Sequence, residues 1–129
     1  CGARFKVMEN REYKQFLKEK VYKFSLATIR CIDGCDKKDF SVQVMAKQLL
    51  RSATSIGANI IEAQACNSRK DFINFLNIAL KSANESKYWL VLLRDSKKGE
   101  AEKMNGLLND VTEIANLLGS SLIKLKGKI

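Results

Sequence analysis

The chain has 129 residues with 46% hydrophobic and 29% charged side chains, which fits one soluble domain with a real core. Its net charge is +9, with 23 basic against 14 acidic residues, so the partners it attracts are polyanions, nucleic acid before anionic membrane. Histidine and proline are both absent, which excludes Ser-His-Asp and Cys-His nucleophile pairs and Glu-x-x-His di-iron sites, and argues against a loop-rich fold.

Residues 1–8 read as an N-terminal extension or remnant outside the fold, and residues 9–129 as the domain. The first helix is expected over about 9–32. Phe16, Leu17, Val21, Phe24, Ala27, Thr28 and Cys31 draw its apolar stripe, and Arg11, Lys14 and Lys18 a basic line beside it. Asp33-Gly34 is expected to stop it, with the glycine in a left-handed cap. The second helix is expected over about 41–66 with Ser41 as N-cap, and Val42, Met45, Ala46, Leu49, Ala53, Ile56, Ile60 and Ala63 as its stripe. Ser52, Ser55, Gly57 and Ala58 are small enough to let a neighbouring backbone come close.

Ser68 followed by Asp71 resembles a capping box and opens the third helix, over about 69–96. Its stripe is Phe72, Phe75, Leu76, Ala79, Ala83, Ser86, Trp89, Leu90 and Leu93. The fourth, over about 100–126, has Met104, Leu107, Leu108, Val111, Ile114, Ala115, Leu118, Leu122 and Leu125 inward. Acids Glu100 and Glu102 begin it and Lys124 and Lys126 end it, matching the helix dipole. Four such helices with short connections predict an all-α, antiparallel up-down-up-down four-helix bundle. No apolar run approaches the roughly 18 residues of a membrane span.

Chemistry is thin. There is no Walker loop and no Gly-x-Gly-x-x-Gly. Cys1, Cys31, Cys35 and Cys66 read as free thiols of a reducing cytoplasm, and a metal at Cys31 and Cys35 would need two more ligands; no metal and no cofactor is expected. Glu62 and Glu85 are a carboxylate pair without a nucleophile, which favours a structural pair bonded to Arg51, Asn59 or a neighbouring chain over acid–base work. Arg51, Ser55, Asn59 and Glu62 are spaced by four, four and three, so they share one helix face. Such a line fixes register, or lines a subunit interface or ligand groove. The expectation is a protein that is not an enzyme, and the catalytic set is empty.

The stretch from Gln48 to Ala63, QLLRSATSIGANIIEA, resembles the signature of the four-helix bundle family named for the 23S rRNA intervening sequence protein. The stretch from Phe72 to Glu85, FINFLNIALKSANE, is similar to its second motif. Arg51, Ser55, Asn59, Ile60, Glu62, Ser82 and Glu85 match the pattern. Leu50 stands where the family has a first arginine, Gly57 where it often has proline, and Ala63 and Lys81 where it has glycine. The family is similar to the accessory variability determinant protein of diversity-generating retroelements, a basic, barrel-like homopentamer that binds nucleic acid and a reverse transcriptase.

The resemblance implies a self-associating bundle, five copies in a ring, that binds RNA or DNA through a basic surface. Arg11, Lys14, Lys18, Lys124 and Lys126 are the candidate cations, and Arg51, Ser55, Asn59, Glu62, Ser82 and Glu85 the structural or interface motif. The rival reading is an adapter that docks a partner protein such as a reverse transcriptase. Seven apolar residues off the core stripes, Tyr13, Tyr22, Ile61, Ile73, Leu80, Tyr88 and Leu92, support an interface between copies.

Overall fold

A computed structural model describes residues 11–127. The extension expected at 1–8 therefore lies outside the described residues. Four helices follow in order: α1 Arg11–Asp33, α2 Phe40–Ala65, α3 Arg69–Asp95 and α4 Ala101–Lys126. The described residues contain no strand.

Side-chain bridges fix the direction of each neighbour. Tyr13 meets Ser121 at 3.1 Å and Lys20 meets Glu113 at 3.0 Å, so α1 and α4 run opposite ways. Ser52 meets Ser86 at 2.8 Å and Ser55 meets Ser82 at 2.9 Å, which makes α2 and α3 antiparallel. Arg94 donates to Asn105 while Arg69 reaches the carbonyl of Leu125, which does the same for α3 and α4. Each helix packs on its two neighbours around a square, as an up-down-up-down bundle does.

The stripes expected from periodicity form the core. Leu17, Val21, Phe24, Leu49, Ile56, Ile60, Phe72, Leu76, Leu90, Leu93, Ile114 and Leu118 are essentially sealed from solvent. Phe16 is the exception: it is 49% exposed, with the Lys20 ammonium 6.0 Å from its ring centre. The stripe of α1 is centred on Leu17, Val21, Phe24 and Thr28, and Phe16 falls one position off that line. Gly57 has a packing reason, since a Cβ there would sit 3.2 Å from Val21, so the missing side chain lets α1 close on α2.

Two helix ends differ from expectation. The N-cap of α2 is Asp39 rather than Ser41: its carboxylate accepts from the Val42 amide at 3.1 Å. Lys98 also pairs with Asp39, and that bond, then the Val42 amide, holds its carboxyl below the ordinary value. Gly34 is not in a left-handed cap. The chain leaves α1 by short-range turns, with Gly34 N–H to Cys31 and Cys35 N–H to Ile32, which need no positive φ. The left-handed residue is Lys97, at φ 61°, closing α3 with Lys97 N–H on Arg94 and Lys98 N–H on Leu93.

Candidate functional site

The antiparallel pairing of α1 with α4 places the start of one beside the end of the other. The Tyr13–Ser121 bond holds that junction, and Arg69 ties the start of α3 to it through the carbonyl of Leu125. Arg11, Lys14 and Lys18 from α1 therefore share one pole of the bundle with Lys70 of α3 and Lys124 and Lys126 of α4. All are exposed except Lys14, which is half-buried. None of these six forms an ion pair with a described residue. Among the described residues Glu12, Glu19, Glu62 and Asp71 offer negative charge at this pole.

The opposite pole is built differently. Its basic residues are interleaved with Asp33, Asp36, Asp39, Asp95, Glu100 and Glu102. Lys98 is held by Asp39, Lys103 by Glu100 at 3.4 Å, and Arg94 by Asp95 at 2.9 Å. A cation already facing a carboxylate adds little attraction for a distant anion, so the positive potential gathers at the first pole.

The polar line on α2 does a separate job. Ser52 and Ser86, both fully buried, bond each other, and their second contacts are carbonyls in their own helices, Leu49 and Ser82. Ser82 donates to Ser55, and the Asn59 amide donates to the Ser55 carbonyl at 2.8 Å and to its hydroxyl at 3.0 Å. Farther along, Arg51 pairs with Glu85, which also accepts from the Trp89 indole at 2.9 Å. This ladder sets the register of α2 against α3. Of the motif residues, Glu62 alone stands outside it: exposed, with no side-chain bond to a described residue. Glu62 and Glu85 are thus not a pair, because Glu85 faces the seam while Glu62 faces solvent at the end of α2.

The two residues separate experimentally. Asn59→Ala is expected to cost about 1–3 kcal/mol, since Ser55 loses a partner within the seam. Glu62→Ala is expected to stay within about 0.5 kcal/mol, as an exposed substitution away from such features. Urea unfolding of both variants checks this, and equal losses would contradict it.

Cys31 and Cys35 are half-buried free thiols. Burial pushes Cys31 up, with Cys35 beside it adding to the shift, and burial likewise pushes Cys35 up. A raised thiol favours its protonated form, the weaker nucleophile. Among the described residues no group of three or more acids, cysteines or histidines could hold a metal. No described helix is long and apolar enough to cross a membrane. The sequence reading did not include Lys70 or Arg69 at the pole, nor the Ser52–Ser86 bond. The first two were reachable by placing the start of α3 next to the end of α4.

Comparison with known proteins adds two findings. A family profile described as 23S rRNA-intervening sequence protein matches residues 14–120. A crystal structure of a protein of unknown function from the S23 ribosomal protein family of Bacteroides thetaiotaomicron VPI-5482 is similar at 46% identity. It covers 82% of this chain and 97% of its own, with a TM-score of 0.76. No curated protein matches the chain.

Proposed function

The chain belongs to the 23S rRNA-intervening sequence protein family, and on that premise we propose that it is a non-enzymatic bundle that associates with copies of itself and binds structured RNA or DNA. The supporting observation is the basic pole, where three helices contribute cations that form no ion pair with a described acid. Side chains of this kind meet phosphates, which position a nucleic acid without reading its bases. The protein works in a reducing cytoplasm, where its thiols stay free, and needs neither cofactor nor metal. A ring of five is the stoichiometry that the family likeness implies, and it would gather five basic poles into one field.

The test is fluorescence anisotropy with a hairpin RNA and a duplex DNA over a salt series. Binding is expected at about 50 mM salt and is expected to fall steeply by about 200 mM, because neutralising phosphates releases counterions. No binding at the lower concentration, or binding indifferent to salt, overturns the nucleic-acid reading.

A further inference from the structure

The basic line of α1 does not stop at the pole. Arg11, Lys14, Lys18 and Tyr22 follow one another at three- and four-residue steps, so they share one side of the helix. That side adjoins α2, and Lys18 and Tyr22 line a groove of about 520 Å³ between the two helices. The volume falls within the roughly 300–1,000 Å³ of small-ligand sites. Its floor is apolar: Val21 and Ile60 are buried, and Gly57 beside them carries no side chain to fill it. The Tyr22 wall is 64% exposed. Phe16 already has the Lys20 ammonium near its ring, and Tyr88 meets Trp89 edge-on with 5.2 Å between centres. Tyr22 has no ring partner of either kind among the described residues.

The charges at the groove say what enters it. Glu19 lines it as well, with one carboxylate oxygen held by the Gln15 amide at 2.9 Å. A carboxylate repels phosphate but accepts from the amino group of a base such as cytosine, so the groove suits a base and not a backbone. The phosphates are left to Lys18, Lys14 and Arg11. Lys14 and Lys18 are one helical turn apart, ~6 Å, close to the step between phosphates of an extended single strand. An exposed ring at the end of such a line is a platform for an unstacked base. We propose that the groove between α1 and α2 receives an unpaired base, stacked on Tyr22, of a nucleic acid whose phosphates lie along Arg11, Lys14 and Lys18. The inference rests on the nucleic-acid reading and narrows its ligand to strands with unpaired nucleotides. A fully paired duplex keeps its bases in the stack and offers this line its phosphates alone.

The test is fluorescence anisotropy at about 50 mM salt with two probes. One is a single RNA strand of cytidines and adenosines, which does not pair with itself, and the other a blunt RNA duplex. Tyr22→Ala is expected to weaken binding of the single strand about 5- to 150-fold, the value of one stacked base. Its salt slope should be unchanged, because no cation is lost, and its affinity for the duplex should equal that of the wild type. Tyr22→Phe keeps the ring and is expected to bind both probes as the wild type does. Tyr88→Ala, which removes a tyrosine of similar exposure from α3, is expected to do the same. Circular dichroism on each variant checks that the helices are retained. Three results overturn the groove and leave the nucleic-acid reading standing: no loss in Tyr22→Ala, a loss shared equally by both probes or by Tyr88→Ala, or a wild type that binds the duplex alone. A wild type that binds neither probe overturns both.

Discussion

Reversing Lys14, Lys18, Lys124 and Lys126 together to glutamate is expected to remove nearly all salt-dependent nucleic-acid binding. The four come from α1 and α4 and converge because those helices are antiparallel, joined at the Tyr13–Ser121 bond. If each neutralises one phosphate, the slope of log affinity against log salt on duplex DNA drops by about 3–4. At about 0.1 M salt that is at least about a hundredfold in affinity. The control is the same number of reversals at the opposite pole, at Lys37, Lys38, Lys97 and Lys103. Carboxylates are interleaved there already, so only a small, uniform loss from the lower net charge is expected. Circular dichroism on both variants guards against unfolding. Equal losses in the two would mean that binding follows total charge rather than the pole, and the site assignment would fall.

Phe24→Ala is expected to cost about 3–5 kcal/mol, the range for emptying a buried phenyl site. It should lower the melting temperature by roughly 10–20 °C in a domain of this size. Phe24 is 1% exposed and is the largest of only four buried side chains on α1, with Leu17, Val21 and Thr28. That helix has a groove on each flank, one against α2 and one against α4 lined by Ala27, Cys31 and Leu107. Cutting its main anchor should therefore release α1 before the rest. Amide exchange on the variant should show α1 losing protection ahead of α2–α4. The matched control is Phe72→Ala, at the α3 start of the core, where the loss should spread over the bundle. A cost below about 1 kcal/mol, or uniform exchange across the four helices, would contradict the weak seating of α1.

The architecture was legible because apolar residues at three- and four-residue steps leave one solution per helix. Leu17-Val21-Phe24, Leu49-Ala53-Ile56, Phe72-Leu76-Ala79 and Val111-Ile114-Leu118 all point inward as the period requires. Ends were harder. Asp39 and Ser41 are both good caps; the helix starts at Phe40, so Asp39 is the one used, and Lys98 pairs with it from another turn. Gly34 had the right chemistry for a left-handed cap, yet a lysine took that conformation elsewhere. The polar line on α2 was visible as a line, but its partners Ser82 and Ser86 are fixed only when α3 is set beside it. Of the apolar residues expected to lie off the core, Tyr13, Ile73 and Leu80 pack against it, whereas Tyr22, Ile61 and Tyr88 stay exposed. Phe40, Val44 and Leu50 are exposed as well, each lying near core positions in sequence. The cations of α1 and α4 were visible in the sequence, but their meeting at one pole follows only from the antiparallel pairing that brings Tyr13 to Ser121.

The meeting of α1's first turns with α4's last has a practical side. Both ends of the described chain emerge at the pole that carries the free cations. An affinity tag, fluorescent protein or surface tether joined directly to Arg11 or Gly127 would sit over that patch, and a polyhistidine or acidic tag would also alter its field. The turn at 34–39 is at the far pole, a whole helix length away. A reporter inserted there leaves the cations open to solvent. The same proximity lets Arg11 and Gly127 be joined by a short linker, so a circularly permuted chain of residues 11–127 opened in that turn would keep every helix contact while moving its free ends away from the cations.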